Sequence, residues 1–301
     1  MAPGPVSTLT PNPILVFGRN GQVARELAGR GAATGRALVF AGRETLDLSN
    51  PARIAPLIAA VAPRAVINAA AYTAVDRAER EPAAAMALNR DAPAAIAAAC
   101  AARGLPLIHF STDYVFDGAL PRPYVETDPT GPTSVYGVSK LAGEQAVAGA
   151  GGAAITLRTA WVYSAHGVNF VKTMLALAVA RDEISVVADQ LGRPTWARDC
   201  ADAALLAVDA LADAPDLAGV YHICGDGDAT WADLAAAVFD ESGRRGGPTA
   251  RVRPISTEEY PTPAKRPANS RLDCGKIEAA LTWRRRPWRQ SLASCMTEME
   301  L

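Results

Sequence analysis

Ile14-Leu15-Val16-Phe17-Gly18-Arg19-Asn20-Gly21-Gln22-Val23-Ala24 is the stretch on which the fold turns. Four consecutive apolar residues stopped by a glycine read as a buried strand. The segment 22–30 reads as a helix, which leaves Gly18 to Gly21 as the turn between them. Glycine tolerates the positive φ and close backbone approach such a turn demands. The helix start presents unpaired N–H groups and the positive end of the helix dipole, a combination suited to a pyrophosphate. The spacing is GxxGxxA rather than GxGxxG, with Ala24 in the last glycine's place; it is small enough for helix and strand to pack closely. The whole turn, Gly18 and Asn20 included, is read as a dinucleotide cradle.

Working outward, short apolar runs alternate with alanine-rich segments. Strands are expected at 37–41, Ala65–Asn68, 106–110 and 155–158, and helices at 51–61, 82–103 and 135–147. Strands alternating with helices imply βαβ units and a Rossmann-type doubly wound parallel sheet, an α/β fold. Beyond about residue 160 the pattern loosens into helices at 169–179, 199–211 and 231–242, short strands at 184–187 and 220–224, and a proline-rich tail. The expected organisation is a dinucleotide-binding domain over 14–160 and a smaller α/β substrate-binding lobe over 161–301, some of whose segments return to the first domain. A ligand would sit between them, beyond the carboxyl ends of the strands.

Composition narrows the function. The 30 basic and 31 acidic side chains nearly cancel, which argues against a nucleic-acid partner. No apolar run approaches the roughly 20 residues that cross a bilayer. Residues 1–13 hold four prolines and lack a basic and apolar leader pattern, so they read as a disordered leader rather than a signal peptide. Cys100, Cys200, Cys224, Cys274 and Cys295 are widely spaced and form no CxxC pair. They are read as small buried hydrophobes in a cytoplasmic protein.

The chemistry is carried by Tyr136-Gly137-Val138-Ser139-Lys140. A tyrosine and a lysine four apart share one helix face. A phenol near its ordinary pKa of about 10 is a sluggish proton-transfer group, and a neighbouring ammonium is expected to favour the phenolate. Such a pair can protonate a carbonyl oxygen as hydride reaches the carbon. Upstream, a strand ends in Ser111-Thr112-Asp113-Tyr114, and either Ser111 or Thr112 could hydrogen-bond that carbonyl. The second strand ends in Val39-Phe40-Ala41-Gly42-Arg43, with no acid for a ribose 2′-hydroxyl. Arg43 instead suits a 2′-phosphate, which makes NADPH the expected cofactor and NADH the alternative.

With these residues in view, the chain resembles the extended short-chain dehydrogenase/reductase family and, within it, the dTDP-4-dehydrorhamnose reductases. The resemblance runs from about residue 14 to 290. Besides the turn and the Tyr–Lys motif, it rests on Asn68-Ala69-Ala70-Ala71-Tyr72-Thr73-Ala74-Val75-Asp76 and on Thr112-Asp113-Tyr114-Val115-Phe116-Asp117-Gly118. It continues in Arg158-Thr159-Ala160-Trp161-Val162-Tyr163-Ser164, in Asp189-Gln190-Leu191-Gly192-Arg193-Pro194-Thr195, and in Arg266-Pro267-Ala268-Asn269-Ser270-Arg271-Leu272-Asp273.

The resemblance implies that Gly21, Gln22 and Val23 hold the pyrophosphate. It sets Asp47 and Leu48 by the adenine, and Ala71, Tyr72 and Thr73 along the cofactor. Thr112, Asp113 and Tyr114 fall in the motif that meets the sugar, and Trp161 packs against the sugar. Tyr136 donates the proton, and Lys140 tunes it while binding the nicotinamide ribose. The implied reaction is reduction of the C4 keto group of dTDP-4-dehydro-L-rhamnose to dTDP-L-rhamnose, a precursor of cell-surface polysaccharide. The expected partner is the dTDP-sugar, and the chain is expected to be a monomer or homodimer. Some relatives bridge a dimer with Mg2+ through acidic residues. Glu26 matches one such position, but the stretch Thr195-Trp196-Ala197-Arg198 offers arginine where an acid would be wanted, so no metal site is assigned. The alternatives are another sugar-nucleotide epimerase, dehydratase or ketoreductase of the family, or a non-catalytic NADP-binding regulatory subunit.

Overall fold

A computed structural model describes residues 12–299; of the leader, only Asn12 and Pro13 fall within it. Six strands form the main sheet: β1 Ile14–Phe17, β2 Leu38–Ala41, β3 Ala65–Asn68, β4 Leu107–Thr112, β5 Ala154–Thr159 and β6 Gly219–His222. Their order is β6-β5-β4-β3-β1-β2, with every pair parallel. This is the doubly wound arrangement expected from the alternating pattern.

The sheet is covered on both faces, and strand alternation divides β1 between them. Ile14 and Val16 join Leu27 and the helix Ala197–Asp213 in one core. Leu15 and Phe17 join Ile54, Ile58, Ile96 and Val147 in the other. The order reverses beside β1, where β2 lies on one side and β3 on the other. At such a switch point the loops leaving β1 and β3 open a crevice at their carboxyl ends.

Two expectations change in detail. The expected helix over 82–103 is broken into Pro82–Met86, a π-helical segment Ala87–Asp91, and Ala92–Ala101. Pro93 has no N–H to offer the carbonyl four residues back, that of Asn89, so the regular ladder fails there. The strand expected at 220–224 is β6, which extends the main sheet beyond β5. The helix Ala197–Asp213 likewise packs on the first half.

A separate core gathers Tyr163, Val171, Trp196, Leu234, Phe239, Trp288 and Met296. The helices Phe170–Ala178, Trp231–Arg244 and Trp288–Thr297 surround it. Short strand pairs lie beside it: Glu183–Val187 with Arg251–Ile255, Leu191–Gly192 with Ala229–Thr230, and Val162–Tyr163 with Thr195–Trp196. Among the described residues, no helix is long and apolar enough to cross a membrane.

Candidate active site

The turn after β1 is shaped for close approach. Gly18 has φ +104, and a Cβ there would lie 3.2 Å from the Ala69 carbonyl carbon and the Ala70 nitrogen. Gly21 caps the helix Gln22–Ala33 in extended conformation and has nothing within 4 Å of where a Cβ would stand. The first helical bond runs from Arg25 N–H to Gly21 O at 3.0 Å, so the N–H groups of Gln22, Val23 and Ala24 have no helical acceptor. No acid occupies this first turn. Open space, free donors and the helix dipole fit a dinucleotide phosphate. Asn20 is exposed at the tip. Gln22 reaches across the cleft, donating to Val162 O at 3.4 Å and accepting from Asn169 Nδ2 at 3.0 Å.

Arg43 stands exposed just past β2. Asp47 accepts from the N–H and hydroxyl of Ser49, which hold its carboxyl below the usual value. Leu48 packs against the core that holds Leu15 and Phe17. Past β3, Asn68 Oδ1 accepts from Ala70 N–H at 3.2 Å, fixing the start of the loop that contains Ala71. Tyr72 turns its hydroxyl to Glu81 at 2.7 Å, and Thr73 is exposed. The backbone of Tyr72 is clamped by a residue sequence reading missed. Asn89 accepts its N–H at 2.8 Å, donates to its carbonyl at 3.0 Å, and donates to Ser139 Oγ at 2.9 Å. The available signal was a polar amide inside an alanine-rich helix, four residues before a proline.

Tyr136 and Lys140 lie on the helix Val135–Gly149, which Ser134 caps by accepting Gly137 N–H at 3.2 Å. Both side chains are buried. Lys140 Nζ donates to Phe110 O at 2.6 Å, and burial brings its pKa down to about 8. The expected lowering of Tyr136 is not what the structure has: burial pushes its phenol up, with only the Thr112 hydroxyl beside it pulling the other way. The ammonium is engaged with the end of β4 instead. Of the two hydroxyls the sequence left open, Ser111 Oγ is buried without a partner.

Thr112 donates to Asp113 Oδ1 at 2.9 Å and accepts Tyr114 N–H at 3.2 Å. Burial raises Asp113 to about 6 against the hydrogen bond from Thr112, and its Oδ2 has no partner. Tyr114 meets Tyr136 edge-on, 5.4 Å between ring centres, and burial lifts its phenol to about 12. Thr112 is in register with Thr159 of β5, so Trp161, two residues past Thr159, follows on from the neighbouring strand end.

Glu26 does not form a metal site. It is buried, accepts Ser164 Oγ at 2.9 Å and Arg198 Nε at 3.0 Å, and Arg198 also pairs with Glu298. A guanidinium thus stands between the two carboxylates. No group of three or more His, Cys, Asp or Glu suited to a metal occurs among the described residues. The donor set does not fit Mg2+.

A dinucleotide laid over the β1/β3 crevice, with its phosphates on the helix start, would extend toward a buried tyrosine–lysine pair at the end of β4. That layout defines the class: a nicotinamide-dependent reductase of the short-chain dehydrogenase/reductase type. A family model described as the RmlD substrate binding domain matches residues 12–301. A dTDP-4-dehydrorhamnose reductase of Sinorhizobium fredii is 48% identical over 280 residues, 92% of this chain and 94% of that protein. The Escherichia coli K12 reductase of the same name is 44% identical, covering 88% of this chain and 90% of its own. The chain therefore belongs to the dTDP-4-dehydrorhamnose reductase family.

Solved structures agree. A Clostridium acetobutylicum dTDP-4-dehydrorhamnose reductase superposes with TM-score 0.87 at 35% identity, covering 94% of this chain and 98% of that one. A Bacillus anthracis reductase, solved in complex with NADP, superposes with TM-score 0.88 at 32% identity, covering 96% and 100%. The family resemblance and the fold class read from the sequence are both borne out.

Proposed function

We propose that the chain reduces the C4 keto group of dTDP-4-dehydro-L-rhamnose, giving dTDP-L-rhamnose, with NADPH as reductant. The observation that carries this is the buried Tyr136 on the helix that Lys140 ties to the end of β4, on a chain whose relatives bear that activity as their name. Bound at the β1 turn, NADPH supplies the hydride. The N–H groups of Gln22 and Val23, with Gly18, Asn20 and Gly21 in the turn, receive the pyrophosphate. Arg43 receives the 2′-phosphate, Asp47 and Leu48 flank the adenine, and Ala71, Tyr72 and Thr73 line the path between.

Tyr136 is the general acid. Its raised pKa keeps the phenol protonated at neutral pH, which is the form that reduction consumes. Thr112 orients the carbonyl, and the charged Lys140, tied to the Phe110 carbonyl, binds the nicotinamide ribose and holds the helix that carries Tyr136. Asp113 and Tyr114 complete the sugar's polar surroundings, and Trp161 offers it an apolar face. The five free, buried cysteines support a reducing, cytoplasmic setting. The chain works as a monomer or homodimer without a bridging metal.

The test is oxidation of NADPH, and separately NADH, by purified protein given the 4-keto sugar nucleotide. Substrate-dependent oxidation yielding dTDP-L-rhamnose, faster with NADPH, is expected. Cofactor binding without turnover on this sugar would overturn the assignment.

A further inference from the structure

Trp161 has φ +51, a conformation that bulky side chains avoid unless their surroundings impose it. Its placement explains what it serves. It follows β5 two residues after Thr159, the register partner of Thr112, and its neighbour Val162 accepts from Gln22 of the phosphate turn at 3.4 Å. The strained residue thus lies on the chain segment running from the catalytic hydroxyl to the cofactor turn.

Its surroundings are built to hold it. The Trp231 indole stacks on Trp161 with ring centres 3.6 Å apart and planes 10° from parallel. Trp231 Nε1 donates to Gln190 Oε1 at 3.1 Å, and Gln190 Nε2 donates to Thr257 Oγ1 at 3.0 Å. Thr257 in turn gives its N–H and hydroxyl to Asp189. Trp231 is the first residue of its helix, and a Thr230–Asp233 capping box fixes that helix start. Gly192 lies against Trp161 so closely that a Cβ would overlap the indole. Asp189, Gln190 and Gly192 all belong to one sequence motif, and its contacts converge on this indole pair.

We propose that Trp231 is a positioning residue for the sugar subsite. Its anchored indole is the platform that holds Trp161 in its strained conformation, presenting a rigid apolar surface to the C–H face of the deoxysugar. A surface already ordered before binding loses less freedom when the sugar arrives. The proposal rests on Trp161 facing the sugar, as set out above.

The experiment compares wild type with Trp161→Ala, Trp231→Ala, Trp231→Phe and Gln190→Leu. Circular dichroism reads the exciton couplet that two stacked indoles produce, and steady-state kinetics reads KM for each substrate. Trp231→Ala is expected to abolish the couplet and raise KM for the sugar nucleotide roughly three- to tenfold, the range a stacked aromatic pair supplies. KM for NADPH stays as in wild type, and Trp231→Phe recovers most of the loss. Should Trp231→Ala fail to fold, Gln190→Leu decides, with a weakened couplet and a smaller rise in the same KM.

A wild-type protein without the couplet, or a lost couplet with unchanged sugar KM, overturns the proposal. So does an equal rise in both KM values. If Trp161→Ala leaves the sugar KM unchanged, it is the sugar-facing role of Trp161 that fails. If Trp161→Ala raises it and Trp231→Ala does not, only the role of Trp231 fails.

Discussion

Lys140 is tied to Phe110: its ammonium donates to the Phe110 carbonyl at 2.6 Å, joining the helix that carries Tyr136 to the end of β4 that carries Thr112. The bond satisfies one proton of a buried cation and links that helix to the sheet.

Because burial brings Lys140 down to about 8, its charge is present below that pH and lost as pH rises through it. The rate kcat is therefore expected to fall on the alkaline side with an apparent pKa near 8. Lys140→Met should lower kcat by about a hundredfold or more at neutral pH and remove that limb. A pH–rate profile of both proteins checks it, and an unchanged alkaline limb in the variant would assign it elsewhere.

Tyr136→Phe removes the proposed proton donor and keeps the ring that packs edge-on against Tyr114. Turnover should fall by roughly two to four orders of magnitude, with NADPH affinity within about twofold of wild type. Fluorescence titration of the cofactor alongside steady-state rates separates the two effects.

Asp113 carries a proton in the fold at pH values where the unfolded chain has released it, since burial moves its pKa from 3.8 to about 6. Its sign is the reverse of the usual carboxylate. Relative to the fully protonated state, the fold loses stability as pH rises from 3.8 through about 6. Asp113→Asn is expected to unfold at a higher temperature than wild type above pH 6, with little difference at pH 4, and to be slower in catalysis. Thermal melts at the two pH values test this; an equal shift at both would refute the linkage.

Arg198 pairs with both Glu26 and Glu298, joining the two carboxylates through one guanidinium. Chelators should therefore leave activity and melting temperature unchanged. Glu26→Ala strands the guanidinium's inner contact and the Ser164 hydroxyl, and should cost about 3 kcal/mol in stability, measured by denaturant unfolding. A melting temperature that falls with chelator and recovers with Mg2+ would contradict the ion-pair account.

Gly18→Ala places a Cβ against the backbone of Ala69 and Ala70 and at a φ of +104 that alanine resists. A strain of about 1–3 kcal/mol is expected, visible as a lower melting temperature. A raised KM for NADPH should accompany it because the cradle itself shifts.

Much of this protein was legible before its tertiary structure. The apolar run 14–17 stopped by Gly18, the strand–helix alternation and the Tyr136–Lys140 spacing are short-range signals. Periodicity and glycine stereochemistry act within a few residues, and a linear sequence displays them directly. They determined the parallel sheet, the glycine turn after β1 and the placing of Tyr136 and Lys140 on one helix.

The tertiary structure decided what depends on residues far apart in the chain. It bonded the Thr112 hydroxyl to Asp113 and left Ser111 Oγ buried without a partner, because the pleat of β4 and what packs on each face determine what each hydroxyl meets. It returned β6 to the sheet, where its hydrogen-bonding partner is β5. It set Asn89 on Tyr72 and Ser139, and Arg198 between Glu26 and Glu298, pairs as much as 172 residues apart. It also showed that burial raises the Tyr136 phenol while the Lys140 ammonium bonds the Phe110 carbonyl instead. Desolvation and long-range pairing belong to the packed whole, and no local pattern encodes them.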